Sequence, residues 1–329
     1  MSIVLITGSN GLVGSESSFF FLKKGYKVIG IDNLTSGKKI NIIHNFKNRN
    51  FKFFKKDLKD IDKLENIKKI DYVIHLAGNG ELIPSIEKPL DYFNNNAYNT
   101  AKLIDFVRRK KFKIKKFIYA ASSSCYGISN FKTNEKMKIR IEHPYAFSKF
   151  IGEQVCLHWG KIYKIPTISI RIFNAYGTRS RTTNVYGAVI GVFLKQKIEK
   201  KPLTIVGKGN QKRDFLFISD VCNAFYKAAV SNFKNEIFNL GNGKPRKIND
   251  LAKLIHNKFI NIPWRPGEPK ITYADISKIK NKLKWKPKIS LEHGINLVLQ
   301  DLNYWKEAPL WTKSKIKRAT KNWMQLLKN

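Results

Sequence analysis

The sequence has few cysteines, few acidic residues and no long apolar run. Its 329 residues include three cysteines, widely spaced and without a Cys-x-x-Cys pair, so neither a disulfide framework nor a zinc site is predicted. No apolar run approaches the roughly 18 residues of a membrane span, and the first residues lack the features of a secretion signal. We therefore expect a cytoplasmic protein that binds neither a metal nor a membrane.

Basic residues far outnumber acidic ones. The chain has 62 lysines and arginines but only 24 aspartates and glutamates, which gives a net charge of +38. Such a charge can indicate binding to nucleic acid. Only eleven of the 62 are arginine, however, and the lysines are spread along the chain. Because arginine is preferred for bidentate phosphate recognition, we interpret the lysine excess mainly as a solvated surface. It should attract nucleotide-bearing substrates, and it predicts no specific nucleic-acid partner.

The apolar content of 43% and the length suit one large or two modest globular domains. Over residues 1–175, short apolar strands alternate with helical patterns, which predicts a Rossmann-type doubly wound parallel sheet with ligands at the carboxyl ends of its strands. The alternation then weakens. We expect a smaller α/β substrate-binding domain in residues 176–329, with a segment at about 210–245 returning to the first domain.

Three glycines follow the first predicted strand with the spacing Gly8-x2-Gly11-x2-Gly14. Glycine lets the backbone turn tightly and approach a pyrophosphate, whose charge then lies at the amino end of the next helix. The second predicted strand ends at Asp32, where a carboxylate can bind the adenosine ribose hydroxyls. Together these features predict a dinucleotide site that favours NAD over its 2′-phosphorylated relative.

Later strands also end in candidate site residues. One ends at Asp57, a candidate for the adenine, and the apolar run at residues 70–78 includes Ala77, a candidate for the cofactor backbone. A fifth strand leads into three serines, residues 122–124. These groups should meet at one edge of the sheet.

Tyr145 and Lys149 lie four residues apart after Pro144, which can open a helix. At this spacing the phenol and the ammonium share one helical face. A free phenol has a pKa of about 10, and a neighbouring cation lowers that value. We therefore predict a phenolate base at Tyr145, converging with a serine hydroxyl and Lys149 on a nicotinamide.

Taken together, these motifs resemble the extended short-chain dehydrogenase/reductases that act on nucleotide sugars. The likeness covers nearly the whole chain and continues through residues 171–177, 206–215, 238–243, 265–269 and 285–287. Within that family the chain is most similar to the UDP-sugar 4-epimerases, whose type member interconverts UDP-glucose and UDP-galactose. The resemblance implies NAD as cofactor and a UDP-sugar as substrate.

The resemblance also implies a role for individual positions. Ser122 would be the catalytic hydroxyl, Tyr145 the base, and Lys149 would hold the nicotinamide ribose. The implied cofactor-binding residues are Gly8, Asn10, Gly11, Leu12, Gly14, Asp32, Asn33, Asp57, Leu58, Ala77, Asn96, Tyr145 and Lys149. The implied substrate-binding residues are Ser122, Ser123, Tyr145, Asn174, Arg181, Arg213, Arg265, Glu268 and Thr272.

The reaction that this resemblance implies is a reversible oxidation at one sugar carbon. Tyr145 would remove the proton of the sugar 4-hydroxyl while the C4 hydride passes to NAD. The resulting 4-keto sugar would turn about its diphosphate link and take the hydride back on its other face.

Related enzymes on the same fold are the main alternatives. The 4,6-dehydratases carry Thr-Asp-Glu at the serine turn, because eliminating water needs an additional acid and base, and UDP-glucuronate decarboxylases carry Thr-Ser-Glu. This chain has three serines there, which favours epimerisation. A different class, a non-catalytic NAD- or nucleic-acid-binding protein, is disfavoured because every expected catalytic residue is present.

The sugar itself is left open. By position, Thr272 would lie beside the sugar's C2 substituent, and a small residue there leaves room for an N-acetyl group, so UDP-N-acetylglucosamine and UDP-N-acetylgalactosamine are candidates beside the plain hexoses. Arg179 and Arg181 resemble arginines of UDP-glucuronate 4-epimerases, in which a carboxylate needs a cation. They could equally bind loop carbonyls or the diphosphate.

Three further predictions concern structure. The resemblance implies a homodimer formed through two helices, here residues 90–109 and 146–161. His75, inside an apolar strand, is expected to be a hydrogen-bonded core residue. The segment at residues 305–327, which carries three tryptophans, is expected to dock on the core.

Overall fold

The computed structural model describes residues 1–64, 67–180 and 188–327. In chain order the strands are β1 (Ile3–Thr7), β2 (Lys27–Asp32), β3 (Phe51–Lys55), β4 (Tyr72–His75), β5 (Lys116–Ser122), β6 (Thr167–Ile172), β7 (Asn174–Tyr176), β8 (Leu203–Val206), β9 (Lys212–Arg213), β10 (Phe215–Phe217), β11 (Glu236–Leu240), β12 (Arg246–Lys247) and β13 (Phe259–Ile262).

The α-helices are α1 (Leu12–Lys23), α2 (Ile83–Glu87), α3 (Pro89–Phe93), α4 (Asn99–Arg109), α5 (Pro144–Ile162), α6 (Val189–Ile198), α7 (Ile218–Val230), α8 (Ile248–Ile255), α9 (Ser277–Leu283), α10 (Leu291–Leu299), α11 (Lys313–Ala319) and α12 (Lys321–Leu326). Shorter turns are the 3-10 helices Lys39–Lys47, Leu58–Lys63, Ser123–Tyr126 and Leu302–Trp305 and the π turn Asn94–Tyr98. None of the helices in these described ranges is both long and apolar enough to span a bilayer.

A seven-stranded sheet in the order β11-β6-β5-β4-β1-β2-β3 forms the centre of the molecule. Every neighbouring pair in it is parallel. The chain first builds outward from β1 through β2 to β3 and then returns to the other side of β1 with β4, so the strand order reverses between β1 and β4. Ligands of doubly wound sheets bind at such a switch point. The predicted α/β, Rossmann-type fold is confirmed.

Both faces of this sheet are covered by apolar side chains. Along β1, Val4 and Ile6 belong to one apolar cluster and Leu5, between them, to the other, as the two-residue period of a strand requires. The first cluster reaches α1, α7 and the later helices, and the second reaches α4 and α5. The sheet is therefore buried on both sides, and the ends of its strands are left for ligands.

The later part of the chain forms small two-stranded pairings: β7 with β10, β8 with β13, and β9 with β12. β11 joins the large sheet beside β6. The sequence predicts an amphipathic helix from residue 248 to 259, but α8 ends at Ile255 and Phe259 begins β13. That helix is shorter than predicted because backbone pairing with β8 takes up residues 259–262.

Two structural predictions are confirmed. His75 is fully buried, with Nδ1 bonded to Thr7 Oγ1 at 2.7 Å and Nε2 to Thr100 Oγ1 at 2.8 Å. Its pKa is lowered to about 3, chiefly by burial. The C-terminal segment docks on the core, with Trp305 and Trp323 both buried.

Candidate active site

The glycine turn after β1 lies against the end of β4. Gly8 has φ +68°, and a Cβ on it would come within 2.8 Å of the Ala77 nitrogen. A Cβ on Gly14 would lie 1.9 Å from the Gly8 carbonyl oxygen, because the first turn of α1 packs directly on this loop. Gly11 caps α1, followed by Leu12. The turn thus has the tight geometry that a helix amino end needs to receive a pyrophosphate.

Asp32 fixes this turn to the end of β2. Its carboxylate accepts hydrogen bonds from the Asn10 amide at 2.9 Å and the Leu34 amide at 2.7 Å. Burial raises the pKa of Asp32, and the two amides oppose the rise. Next to it, the Asn33 side-chain amide donates to Asp57 at 2.7 Å.

Asp57 also caps the 3-10 helix that begins at Leu58, accepting from the Lys59 amide at 2.9 Å. Leu58 is buried, whereas the Asn33 side chain is exposed. The residues predicted to bind the adenosine end of NAD are therefore contiguous along the ends of β2 and β3.

Asn96 lies beneath the loop that follows Ala77. Its side chain accepts from the Asn79 amide at 2.7 Å and donates to the Asn79 carbonyl at 3.0 Å and to Ser148 Oγ at 2.9 Å. Asn96 is fully buried. In this structure it ties the β4 loop to α5, and direct contact with a cofactor stays a prediction.

Ser122 is the last residue of β5, which neighbours β4 in the sheet. Its oxygen accepts from the Ser124 amide at 3.2 Å and from the Ser124 hydroxyl at 2.8 Å. The turn that begins at Ser123 packs on α5, and interaction with the Ser122 hydroxyl acts to lower the pKa of the Tyr145 phenol. Two donors to the Ser122 oxygen polarise its hydroxyl and make it a stronger hydrogen-bond donor. Ser123 follows on the same turn and is partly exposed.

Tyr145 lies in the first turn of α5, where Pro144 starts the helix and His143 caps it by accepting from the Ala146 amide at 3.2 Å. The His143 ring stacks on the Tyr145 ring with centroids 5.9 Å apart. Burial raises the pKa of Tyr145 above its ordinary value, and the hydrogen bond with Ser122 opposes this. The predicted lowering is thus wrong for this structure, because loss of solvent destabilises the phenolate more than nearby groups stabilise it.

Lys149 lies one turn further along α5 and is 7% exposed. Its Nζ lies 4.4 Å from the centroid of the Tyr119 ring and 3.8 Å from where a Cβ on Gly78 would be. Burial lowers the pKa of Lys149 to about 8, and Cys156 and Glu153 oppose the decrease. Through Gly78 and Ala77, the ammonium is close to the glycine turn.

A separate cavity of about 230 Å³ lies among the later strands. Four of the predicted substrate-binding residues line it, together with apolar side chains of α6, β8 and β10: Asn174, Arg213, Arg265 and Glu268. Glu268 binds both arginines, accepting from Arg213 Nη2 at 2.8 Å and from Arg265 Nε at 2.7 Å. Ser122, Tyr145 and Lys149 do not line this cavity. The predicted site residues therefore fall in two groups, one at the sheet edge and one around an arginine-lined cavity in the later chain.

Thr272 holds Asn174, one of the residues that line the cavity, in place. Its hydroxyl donates to Asn174 Oδ1 at 2.6 Å and accepts from the Asp214 amide at 3.0 Å. In this structure its hydroxyl orients Asn174, and a position beside the sugar stays a prediction. Arg179 pairs with Glu16 of α1 at 3.1 Å, and Arg181 lies outside the described residues.

A buried network behind α5 was missed by the sequence analysis. Glu153 binds Arg171 at 2.5 Å, and Arg171 donates to the Tyr126 hydroxyl at 2.8 Å. Tyr119 donates to the Lys149 carbonyl at 3.1 Å. The available signal was the spacing of Tyr145, Lys149 and Glu153 at intervals of four on one helix. This network fixes the helix that carries the two catalytic candidates.

Comparison with known proteins agrees with this geometry. The family described as GDP-mannose 4,6 dehydratase matches residues 5–298. A putative UDP-glucose 4-epimerase of Methanocaldococcus jannaschii is 34% identical over 90% of this chain and 97% of that protein.

Two solved structures superpose over almost their whole length. The Bacillus cereus UDP-glucuronic acid 4-epimerase, solved with UDP-glucuronic acid and NAD, has a TM-score of 0.85 and 31% identity, covering 92% of this chain and 99% of the other. The UDP-N-acetylglucosamine 4-epimerase of Methanobrevibacter ruminantium, in complex with UDP-N-acetylmuramic acid, has a TM-score of 0.84 and 31% identity, covering 91% and 98%. The chain therefore belongs to this family of NAD-dependent nucleotide-sugar enzymes, with UDP-sugar 4-epimerases among its relatives, as its motifs predict.

Proposed function

We propose that this protein is an NAD-dependent UDP-sugar 4-epimerase. The observation that carries the proposal is the meeting of three side chains at the carboxyl end of the parallel sheet: Ser122 ends β5, and α5, which packs on the turn after it, carries Tyr145 and Lys149 on successive turns. A phenol and an ammonium in this position suit proton transfer at a sugar hydroxyl beside a nicotinamide. The arginines of the cavity suit the diphosphate, because their planar groups donate two charge-assisted hydrogen bonds.

The residues present fit the cofactor. At Gly8 and Gly14 a side chain would collide with backbone, so glycine is required there for the tight turn that a pyrophosphate site uses. Asp32 has an anionic carboxylate at the strand end where a ribose diol is expected. When bound, NAD supplies a hydride acceptor at C4 of the sugar and a positively charged nicotinamide ring.

Tyr145 and Ser122 carry out the transfer of the proton of the sugar 4-hydroxyl. Tyr145 accepts the proton of the sugar 4-hydroxyl at its phenolic oxygen and returns it when the hydride comes back. Ser122 donates to the same oxygen and stabilises its anionic form. Because burial raises the pKa of Tyr145, the phenolate needs further stabilisation, which the Lys149 ammonium one turn along α5 and the positive charge of bound NAD would supply.

We propose a UDP-hexose as the substrate, with N-acetylated hexoses accepted beside glucose and galactose. Thr272 is small, and its hydroxyl is held by Asn174. Arg179 is occupied by Glu16, which weakens the case for a hexuronate. As part of this proposal, residues 1–175 serve the dinucleotide and residues 176–329 mainly serve the UDP-sugar, with the segment at about 210–245 returning to the first domain.

The test is parallel incubation with UDP-glucose, UDP-N-acetylglucosamine and UDP-glucuronate, with NMR and mass spectrometry of the products. We expect C4 epimers of unchanged mass from the first two, without added reductant and without net NADH. Loss of water or of carbon dioxide would instead identify a dehydratase or a decarboxylase, and turnover of UDP-glucuronate alone would reassign the substrate. Thr272→Tyr should lower turnover of the N-acetylated sugar more than turnover of UDP-glucose, because loss of the bond to Asn174 affects both sugars and the added bulk affects only the first.

We further propose a homodimer in the cytoplasm. The free and buried cysteines suit a reducing compartment. On the α3 to α5 surface, Leu90, Tyr98 and Phe147 are exposed by 75%, 57% and 44%, and such apolar residues indicate an interface. Sedimentation should give a dimer, and Leu90→Asp with Phe147→Asp should give an active-site-intact monomer. A wild-type monomer would contradict the proposal.

A further inference from the structure

The loop that carries Arg265 and Glu268 has little regular structure of its own. Residues 263–270 contain no helix or strand, and Gly267 at its turn has φ +71°. Yet this loop supplies two of the charged side chains of the cavity. Glu268 of this loop pairs with Arg213 and Arg265, and these ion pairs hold the side of the loop that lies at the cavity.

On its other side, the loop is held by α12. Trp323 is 6% exposed, and its indole Nε1 donates a hydrogen bond to the Pro266 carbonyl. The Arg265 guanidinium lies 5.9 Å from the Trp323 ring. A Cβ on Gly267 would lie 3.4 Å from Leu327 Cδ1, so the turn sits directly against the end of the chain.

α12 is itself anchored on α2. It packs on α2, and the Asn322 side chain donates to Glu87 at 3.2 Å. The stretch of residues 312–327, here called the C-terminal clamp, lies beyond the family match, which ends at residue 298. The family motifs therefore do not account for it.

We propose that the C-terminal clamp is a positioning element for nucleotide binding, and that Trp323 acts through Arg265. The indole fixes the Pro266 backbone, and its ring faces the guanidinium, so Arg265 is held ready for an anionic diphosphate. Preordering this arginine removes an entropic penalty from binding. This inference rests on the proposed binding of UDP in the cavity, but not on the sugar or on the reaction.

The experiment measures UDP affinity by calorimetry together with KM and kcat. For Trp323→Ala we expect a Kd and a KM raised about tenfold, with kcat changed less than about twofold, because a cation–π contact and a hydrogen bond are lost far from the reacting carbon. Trp323→Phe keeps a ring beside Arg265 and should recover part of the affinity. Gln325→Ala, at an exposed position of the same helix, is the matched control and should match wild type.

A double-mutant cycle separates the clamp from general stability. If Trp323 acts through Arg265, then Trp323→Ala should add little to the loss of UDP affinity caused by Arg265→Ala. Additive losses, or equal affinities for wild type and Trp323→Ala, would overturn the inference. UDP binding without any epimerase activity would instead contradict the proposed reaction. The inference about the clamp would then still be decided by the UDP affinities of wild type and the Trp323 and Arg265 variants.

Discussion

The proposed site has a dinucleotide side, formed by the glycine turn and the ends of β2 and β3, and a substrate side, formed by the arginine-lined cavity. On the dinucleotide side, the Asp32 carboxylate and the Asn10 amide that it binds are 22 residues apart in the chain. On the substrate side, the bonded pairs Glu268–Arg213 and Thr272–Asn174 are 55 and 98 residues apart. The first side is built by backbone: a left-handed glycine, helix amino ends and the ends of adjacent parallel strands. The second is built by side chains that bind one another between distant loops.

The difference determines how each side should respond to mutation. A backbone-built site loses individual contacts when a side chain is changed, because the sheet still positions the rest. A site built from linked side chains loses several contacts at once, because each group orients the next.

The largest effect is expected at the reactive centre. Tyr145→Phe should lower kcat by about 10³, within the range for loss of a general acid–base. The affinities for NAD and UDP should remain, because neither side of the site is changed. Steady-state kinetics and calorimetry would measure this, with Tyr163→Phe near the end of the same helix as control. Retention of more than a tenth of the activity would remove Tyr145 from the proposed mechanism.

The next largest effect is expected on the substrate side. Arg213→Ala removes one cation from a buried pair, and we expect about a hundredfold weaker UDP binding and a stability loss of about 3 kcal/mol. NAD affinity should be unchanged. The control is Arg246→Ala. Arg246 lies opposite Arg213 in the β9–β12 pair but binds Glu292 at the surface. If Arg246→Ala proves equally damaging, the linkage through Glu268 is not the cause.

A third prediction concerns the buried ammonium on the dinucleotide side. The pKa of Lys149 is about 8 in the folded protein and 10.5 as its ordinary value, so between these pH values the unfolded chain binds more protons. Stability of the NAD-free protein should therefore rise with pH in this window. From pH 8 to 9.5, wild type should gain about 1.5 kcal/mol relative to Lys149→Met, measured by urea unfolding. Parallel pH dependences would show that Lys149 is not perturbed.

The smallest effect is expected from a single contact on the dinucleotide side. Asp32→Ala should weaken NAD binding about tenfold, because one charged hydrogen-bonding group is lost, while the turn stays in place through the Gly8 amide bond to the Ile31 carbonyl at 2.8 Å. UDP affinity, measured on the same protein, is the internal control. A loss of UDP binding would show that the two sides are coupled more closely than their contacts indicate.

For the same physical reason, the sequence predicted the glycine turn and its position beside the end of β2, and the binding of NAD by these residues stays a prediction. Gly8, Gly14 and Asp32 act through local backbone geometry, and local geometry is visible in residue type and spacing. The sequence failed on the Tyr145 pKa, because the direction of that shift depends on burial by His143, Tyr92 and their neighbours, which no spacing reveals.

By itself, then, the sequence determined the fold, the family and the residues that meet at the sheet edge, since strand periodicity and glycine spacing follow from short-range sterics. Only the tertiary structure decided that Glu268 links Arg213 to Arg265, that Thr272 orients Asn174, and that Trp323 holds the loop from behind. Those contacts join segments far apart in the chain, and their existence depends on how the later loops pack on the sheet.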